Sequence, residues 1–401
     1  MDEAGEGQQQ AMNLEAMQTA LQAEDCDGWL FFDHHGRDPI AYRVLGLPPW
    51  PMATRRWYYF VPAAGEPSKL VHRIESRMLE PLPGATRVYA SWTEQRMALG
   101  EMLRGSRRVA MQYSPHCAVP YVSMVDGGTL ELVRSLGVEV VTSADLVQRF
   151  EATWTAAQLD QHLRAGRKMD AIRAAAFAEI AAAHRAGREP TEYEIQTFLR
   201  ESFDREGLTT DHGPVVAVNA HAADPHYEPS AASSWPVARG DLVLIDLWAK
   251  LREPGAVYYD STWTGVCAAA PPPAMERVFA IVCEARDRAI ALVREHIAAG
   301  TPLRGQDVDD AARAVITAAG YGAYFFHRTG HSIGEEVHGT GVNLDHLETE
   351  DNRRILPGTG FSIEPGIYLK EFGIRSEVNV FVREREAIVT GEIQHELVRI
   401  L

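Results

Sequence analysis

Several carboxylates stand where a buried strand would otherwise run on. Leu242-Val-Leu-Ile is an apolar run that ends in Asp246, Gly360-Phe-Ser-Ile ends in Glu364, and Glu377 opens Glu377-Val-Asn-Val-Phe-Val382. Short apolar runs bounded in this way read as strands buried in a sheet. A carboxylate set into such a run is costly unless a cation or hydrogen-bond donors meet it. Asp260 repeats the pattern at the end of Val257-Tyr-Tyr-Asp260, and His331 lies in the loop His327-Arg-Thr-Gly-His-Ser-Ile-Gly334. Taken singly, each carboxylate is explained by an arginine or a turn. Taken together, four carboxylates and one imidazole carry the charge that two divalent cations neutralise. Hard oxygens with one histidine suit Mn²⁺, Co²⁺ or Zn²⁺. Carboxylates shared between two such ions hold them roughly 3.5–4 Å apart around an activated water.

The rest of the chain says what surrounds these residues. Its 401 residues suit two domains better than one. Leu14 to Ala23 reads as a helix and Gly28-Trp-Leu-Phe-Phe32 as a buried strand. Arg56 to Pro62, Lys69 to Arg73, Arg108 to Met111 and Val138 to Val141 continue as strands with helical stretches between. That alternation predicts an α/β domain over residues 1–153. From Thr155, an apt N-cap, a long Ala-rich helix runs to His184, and the capping box Thr191-Glu-Tyr-Glu194 opens a second that ends at Gly207. Strands at 213–218, 242–247 and 257–259 follow, then helices at 274–299 and 306–319, then strands at 360–364, 377–382 and 387–390. Helices flanking discontinuous strands predict an α+β domain over residues 154–401.

Charge and cysteine usage narrow the function. With 39 basic against 55 acidic residues the formal net charge is −16, a field that repels phosphate backbones and excludes general nucleic-acid binding. Cys26, Cys117, Cys267 and Cys283 show no paired spacing and read as free thiols of a reducing compartment. The opening Met1 to Gln10 has neither a basic nor an apolar region and reads as a frayed tail. No apolar run reaches about 18 residues, so no membrane span is expected and a cytoplasmic protein is.

The motifs resemble, in order over about residues 155–401, those of the pita-bread (M24) metallopeptidases, the family of methionine aminopeptidase, Xaa-Pro aminopeptidase, prolidase and creatinase. They are Gly240-Asp-Leu-Val-Leu-Ile-Asp246, Asp260-Ser-Thr-Trp-Thr264, His327-Arg-Thr-Gly-His331, Ile363-Glu-Pro-Gly-Ile-Tyr368 and Ile374-Arg-Ser-Glu377. The α/β first half is similar to the domain that precedes the pita-bread fold in Xaa-Pro peptidases and creatinase. The resemblance implies that Asp246, Asp260, His331, Glu364 and Glu377 hold two metal ions, most simply Mn²⁺, with Asp260 and Glu377 bridging. It implies Glu364 as general base and acid, His338 and His226 as catalytic histidines on the substrate side, His327 as a histidine near the metal and the substrate, and Arg375 in the pocket for the proline end.

The implied reaction is hydrolysis of the amide bond preceding proline in dipeptides or short peptides. A metal-dependent hydrolase of a small non-peptide amide, ectoine-like or creatine-like, shares the fold and stays open, as does a catalytically silent binding protein. Creatinase itself lacks the full ligand set, and five intact ligands speak against that version. A homodimer is expected, in which the stiff Leu47-Pro-Pro-Trp-Pro51 segment helps to close the partner's site. Two positions depart from the family. Asp246-Leu-Trp248 replaces the usual Asp-x-Gly, and Ser261-Thr-Trp-Thr264 replaces the usual Ile-Thr-Arg-Thr. Residues two apart on a strand share a face, so Trp248 is expected on the side of Asp246, and Trp263 facing away from Asp260.

Overall fold

The computed structural model describes residues 12–48 and 53–401. The tail Met1 to Gln10 and the central Pro49, Trp50 and Pro51 of the proline-rich segment lie outside the described residues. The chain divides into two compact units, one ending at Glu151 and the other Ala152–Leu401.

In the first unit α1 (Leu14–Ala23), β1 (Gly28–Asp33), α2 (Pro39–Val44), β2 (Trp57–Pro62), β3 (Ser68–His72) and β4 (Ala85–Tyr89) come first. They are followed by α3 (Trp92–Met102), β5 (Arg108–Met111), α4 (Gly127–Arg134), β6 (Glu139–Thr142) and α5 (Ala144–Glu151). The six strands form one mixed sheet in the order β4-β3-β2-β1-β5-β6. β1 is buried along its whole length because it serves two cores at once. Trp29 and Phe31 enter one, with Trp57, Tyr59 and Ile40, while Leu30 and Phe32 enter the other, with Tyr58, Phe60 and Leu99. A continuous apolar run is what a strand covered on both faces requires.

The second unit opens with α6 (Ala156–Arg185) and α7 (Glu192–Glu206), each started by a capping box, on Thr155 and Thr191. α7 stops at Gly207, whose left-handed φ of 71° suits a residue without a Cβ. Then come β7 (Leu208–Thr209), β8 (Val215–Val218), β9 (Leu242–Leu251), β10 (Tyr259–Val266), α8 (Pro273–Ala299) and α9 (Gly305–Ala318). The last seven strands are β11 (Ser332–Ile333), β12 (Gly360–Ile363), β13 (Gly366–Tyr368), β14 (Gly373–Arg375), β15 (Val378–Val382), β16 (Ala387–Val389) and β17 (Val398–Arg399). β9 is the centre of one sheet, flanked by β10 on one edge and by β7 and β8 on the other. A second sheet runs β11-β12-β15-β16, and β13 pairs with β14 as a separate hairpin.

β9 sorts its residues by parity. Val243, Ile245, Leu247 and Ala249 pack with α6 and α7, whereas Leu242 and Leu244 join the core under α8 and α9. The even face then turns polar at Asp246. Sequence reasoning ended strands at Asp246 and at Asp260, but both lie inside longer strands, β9 and β10. The reason is that Leu247 to Leu251 and Ser261 to Val266 keep alternating, with β-branched and aromatic residues that fit a pleated surface. Among the described residues no helix is long and apolar enough to cross a membrane.

Candidate metal centre

Antiparallel pairing of β9 with β10 sets Thr262 opposite Asp246 and Trp248 opposite Asp260. Facing pairs on one side of such a ladder have Cβ atoms about 5 Å apart. Asp246, Trp248, Asp260 and Thr262 therefore share one face. The second sheet brings the other groups. Glu364 follows β12, its N–H bonded to Thr329 O at 2.7 Å, and Glu377 precedes β15, its N–H bonded to Thr262 O at 3.1 Å.

His331 is placed by its neighbours on both sides. Its N–H donates to Ser362 Oγ at 2.9 Å, and the Ser362 N–H returns a bond to His331 O at 2.9 Å. Gly330 makes this approach possible, since a Cβ there would lie 2.0 Å from Ser362 O. His331 Nδ1 faces the carbonyl of Ser332 at 3.1 Å, which only an N–H can satisfy. Nε2 is thereby turned to the carboxylates, 3.3 Å from Glu364 Oε1 and 3.5 Å from Asp260 Oδ2.

Asp260, His331 and Glu377 each offer a donor atom, and these atoms all lie within 4.8 Å of one another. Asp260 Oδ1 and Glu377 Oε1 are buried and have no hydrogen-bond partner. Orphaned buried carboxylate oxygens call for a cation. The electrostatics agree. Burial pushes Asp246 up to about 6 against the pull of Arg375. Burial and the neighbouring carboxylates also raise Asp260 and Glu377 well above the usual range. Burial acts on Glu364 in the same sense, but His331, Arg375 and His327 outweigh it and hold that carboxyl low. Four carboxylates and one imidazole gather here, so the donor set fits hard divalent ions.

Arg375 lies inside the cluster. Nη2 lies 2.5 Å from Asp246 Oδ2, Nε donates to Thr262 Oγ1 at 3.0 Å, and Nη1 donates to Tyr368 OH at 3.1 Å. Each of the three nitrogens donates to the protein, which ties Arg375 to Asp246, Thr262 and Tyr368. His327 is committed likewise, with Nδ1 on its neighbour Arg328 O at 2.7 Å and Nε2 on Tyr368 OH at 2.6 Å. Burial depresses its pKa to about 4. A chain thus runs His327–Tyr368–Arg375–Asp246.

His338 stands edge-on to His331, 4.4 Å between ring centres. The His331 ring and then burial lower its pKa to about 4, which leaves a neutral imidazole able to donate an N–H. His226 is exposed on the turn after β8, where its backbone N–H bonds Asp224 Oδ1 at 3.0 Å. Of the residues singled out in the sequence, then, the structure gathers Asp246, Asp260, His331, His338, Glu364, Arg375 and Glu377, links His327 through Tyr368, and leaves His226 at the surface.

Four contributors escaped sequence reasoning. Thr262 Oγ1 lies 2.9 Å from Asp246 Oδ1 and 2.8 Å from Glu377 Oε2, and its single proton can serve one of them at a time. Ser362 Oγ donates to Glu364 Oε1 at 3.1 Å, and Asn379 Oδ1 receives the Asp260 N–H at 3.0 Å. Tyr368 joins His327 to Arg375. Each lies within two residues of a carboxylate of the cluster or closes a motif, which was the available signal.

Known proteins show the same arrangement of chain. "Probable dipeptidase PepE" of Mycobacterium tuberculosis is 28% identical over 342 residues, 84% of each chain. "Xaa-Pro dipeptidase" of Pyrococcus furiosus is 33% identical over 187 residues, 46% of this chain and 48% of that one. Among solved structures, dipeptidase PepE from Mycobacterium ulcerans superposes with a TM-score of 0.68 at 26% identity, covering 96% of both chains. Prolidase from Thermococcus sibiricus has the same fold, with a TM-score of 0.60 at 22% identity over 97% of this chain and 100% of that one. The model of metallopeptidase family M24 matches residues 161–384, a span that contains all five carboxylate and histidine positions of the cluster. The chain belongs to metallopeptidase family M24 and is a metallopeptidase with the pita-bread fold behind an α/β domain.

Proposed function

We propose that this protein hydrolyses the amide bond preceding proline in dipeptides or short peptides, with two divalent ions held by Asp246, Asp260, His331, Glu364 and Glu377. The observation that carries the reading is the pair of buried, unpartnered oxygens on Asp260 and Glu377, the two carboxylates assigned to bridge the ions. Manganese is our choice of metal, since four carboxylates and one imidazole form a hard donor set. When bound, such ions acidify a water and polarise the scissile carbonyl.

The protein's own groups supply the rest. Glu364, the one carboxyl of the group held low, is ionised and ready to accept a proton from the attacking water. It returns that proton to the departing proline nitrogen, which belongs to a tertiary amide and leaves only when protonated. His338 donates its N–H to the carbonyl oxygen as charge develops there. His226 is assigned to the substrate side. Arg375 and Tyr368 are positioning residues that hold Asp246 in one orientation. The names of the relatives support a peptide substrate with proline in second place. We assign the active form to a homodimer in the cytoplasm.

Metal analysis of the purified protein, joined to hydrolysis of Ala-Pro with Mn²⁺ and with chelator, tests the reading. We expect about two ions per chain and activity that chelator abolishes. Asp260→Asn should fold, lose the rise in Tm that Mn²⁺ gives the wild type, and be inactive. Full turnover in chelator would sink the metal assignment, and a metal-loaded enzyme idle on every Xaa-Pro peptide would sink the substrate assignment.

A further inference from the structure

We infer that Trp248 and Asp211 form the wall of the subsite for the substrate's amino-terminal residue, the indole limiting its side chain and the carboxylate receiving its α-ammonium. The inference rests on the Xaa-Pro reading above and adds the class of residue that precedes proline, namely small and with a free amine.

Three observations carry it. The first is register. Across β10, β9 and the β7–β8 connection, Asp260 faces Trp248. On the other edge of β9, Thr209 pairs with Lys250 and Val215 with Asp246, so the connecting residues between them pass the flank of Trp248. The second is contact. Trp248 Nε1 donates to Asp211 Oδ1 at 3.1 Å, and the His212 N–H donates to the same oxygen at 2.9 Å. Oδ2 faces His212 Nδ1 at 3.4 Å, the Tyr258 hydroxyl also meets this carboxylate, and the Asp211 side chain keeps 50% of its surface open. Asp211 is thus a fixed carboxylate at the mouth of the site, outside the proposed ligand set.

The third is packing. Trp248 is only partly buried and touches two cores, one that includes Ile363 and Ile374 and one that includes Tyr258, Ile333 and Val337. Val337 precedes His338. Trp248 thus bonds the Asp211 turn, lies opposite Asp260, and packs on the same cluster as the residue before His338. An indole in that place removes space that a large substrate side chain would occupy. A peptide whose carbonyl lies by His338 would present its amino end toward Asp211, a half-exposed carboxylate outside the proposed ligand set that can receive an ammonium.

The test compares hydrolysis of Ala-Pro, Leu-Pro and N-acetyl-Ala-Pro by wild type, Trp248→Gly, Trp248→Leu and Asp211→Asn, with Mn²⁺ present. Opening the wall should raise the Leu-Pro to Ala-Pro ratio of kcat/KM by about 10-fold or more in Trp248→Gly, the scale of a hydrophobic pocket's discrimination. Trp248→Leu, which keeps an apolar packing group, should move the ratio the same way by less. Asp211→Asn should raise KM for Ala-Pro more than it lowers kcat and narrow the preference for Ala-Pro over its N-acetyl form. Calorimetric binding of reduced-amide Ala-Pro and Leu-Pro analogues to the metal-stripped proteins should show the same reversal without turnover. Folded Trp248 variants with an unchanged ratio in both assays would overturn the inference while leaving Xaa-Pro hydrolysis intact. A wild type that cleaves neither dipeptide would instead overturn the reading on which it rests.

Discussion

The guanidinium of Arg375 reaches Asp246 across 2.5 Å, and the same side chain holds Thr262 and Tyr368. A carboxylate on β9 that Thr262 meets from the neighbouring strand is also clamped from the hairpin β13–β14. The clamp works because Arg375, 5% exposed, has no water to compete for its donors.

Removing this clamp has two separable effects. Arg375→Met leaves the buried carboxylates without a counter-charge and should destabilise the metal-stripped protein by about 3–5 kcal/mol in urea unfolding. Arg375→Lys keeps the charge but not the planar fork, so it should recover part of the stability while kcat stays depressed. Equal kcat in Arg375→Lys and wild type would show that Asp246 needs charge alone and no fixed orientation.

Glu364 offers the cleanest test of proton transfer. Glu364→Gln keeps one ligating oxygen and the bond from Ser362, so it should retain part of its metal. Its kcat should fall at least ~10²-fold, the lower end for general acid–base catalysis. A rate near wild type would assign the proton to another group.

At Gly330 a methyl group is enough. A Cβ would meet Ser362 O at 2.0 Å, and the two backbone segments would have to separate. We expect Gly330→Ala to cost about 1–3 kcal/mol in stability and to weaken metal binding, because His331 rides on the displaced backbone. Titration of the stripped variant with Mn²⁺, followed by Tm, measures both.

His162 provides a pH signature away from the metal centre. It is fully buried, donates from Nδ1 to Tyr258 O at 2.6 Å, and through Nε2 meets Thr390 Oγ1 at 2.7 Å. Burial lowers its pKa to about 4. The unfolded histidine titrates near 6.5, so between these values the unfolded chain holds the extra proton and stability rises with pH. The contribution is complete above about pH 6.5 and lost as the pH falls toward 4, up to ~3 kcal/mol. Urea melts of His162→Gln should lack this part of the slope, and parallel pH profiles for variant and wild type would refute it.

Much of the site was legible because its carboxylates interrupt or abut apolar patterns. Asp246 breaks an apolar run, and Glu364 and Glu377 abut two others, so burial of charge was evident before any geometry. The helices were legible too, since Thr155, Thr191 and Gly207 carry their own start and stop chemistry. The hairpin β13–β14 was not, as three-residue strands have too few alternations to register, and with it went the role of Tyr368. The bonds that Arg375 makes were hidden for a related reason. Its position beside Glu377 is visible in sequence, but the direction of a long side chain is set by tertiary contacts, here with Asp246 from a strand far earlier in the chain.

The division of β9 by parity has a further consequence for anyone altering this protein. Ile245 and Leu247, packed behind α6, bracket Asp246 on the same short stretch of backbone. Any change that shifts the strand to suit the helix side is transmitted, residue by residue, to the carboxylate on the reverse side. Volume changes at Ile245, Leu247 or their partners Ile172 and Phe177 should therefore register as altered chemistry before they register as unfolding. Screens for thermostability that repack this helical face would select, unknowingly, for or against activity.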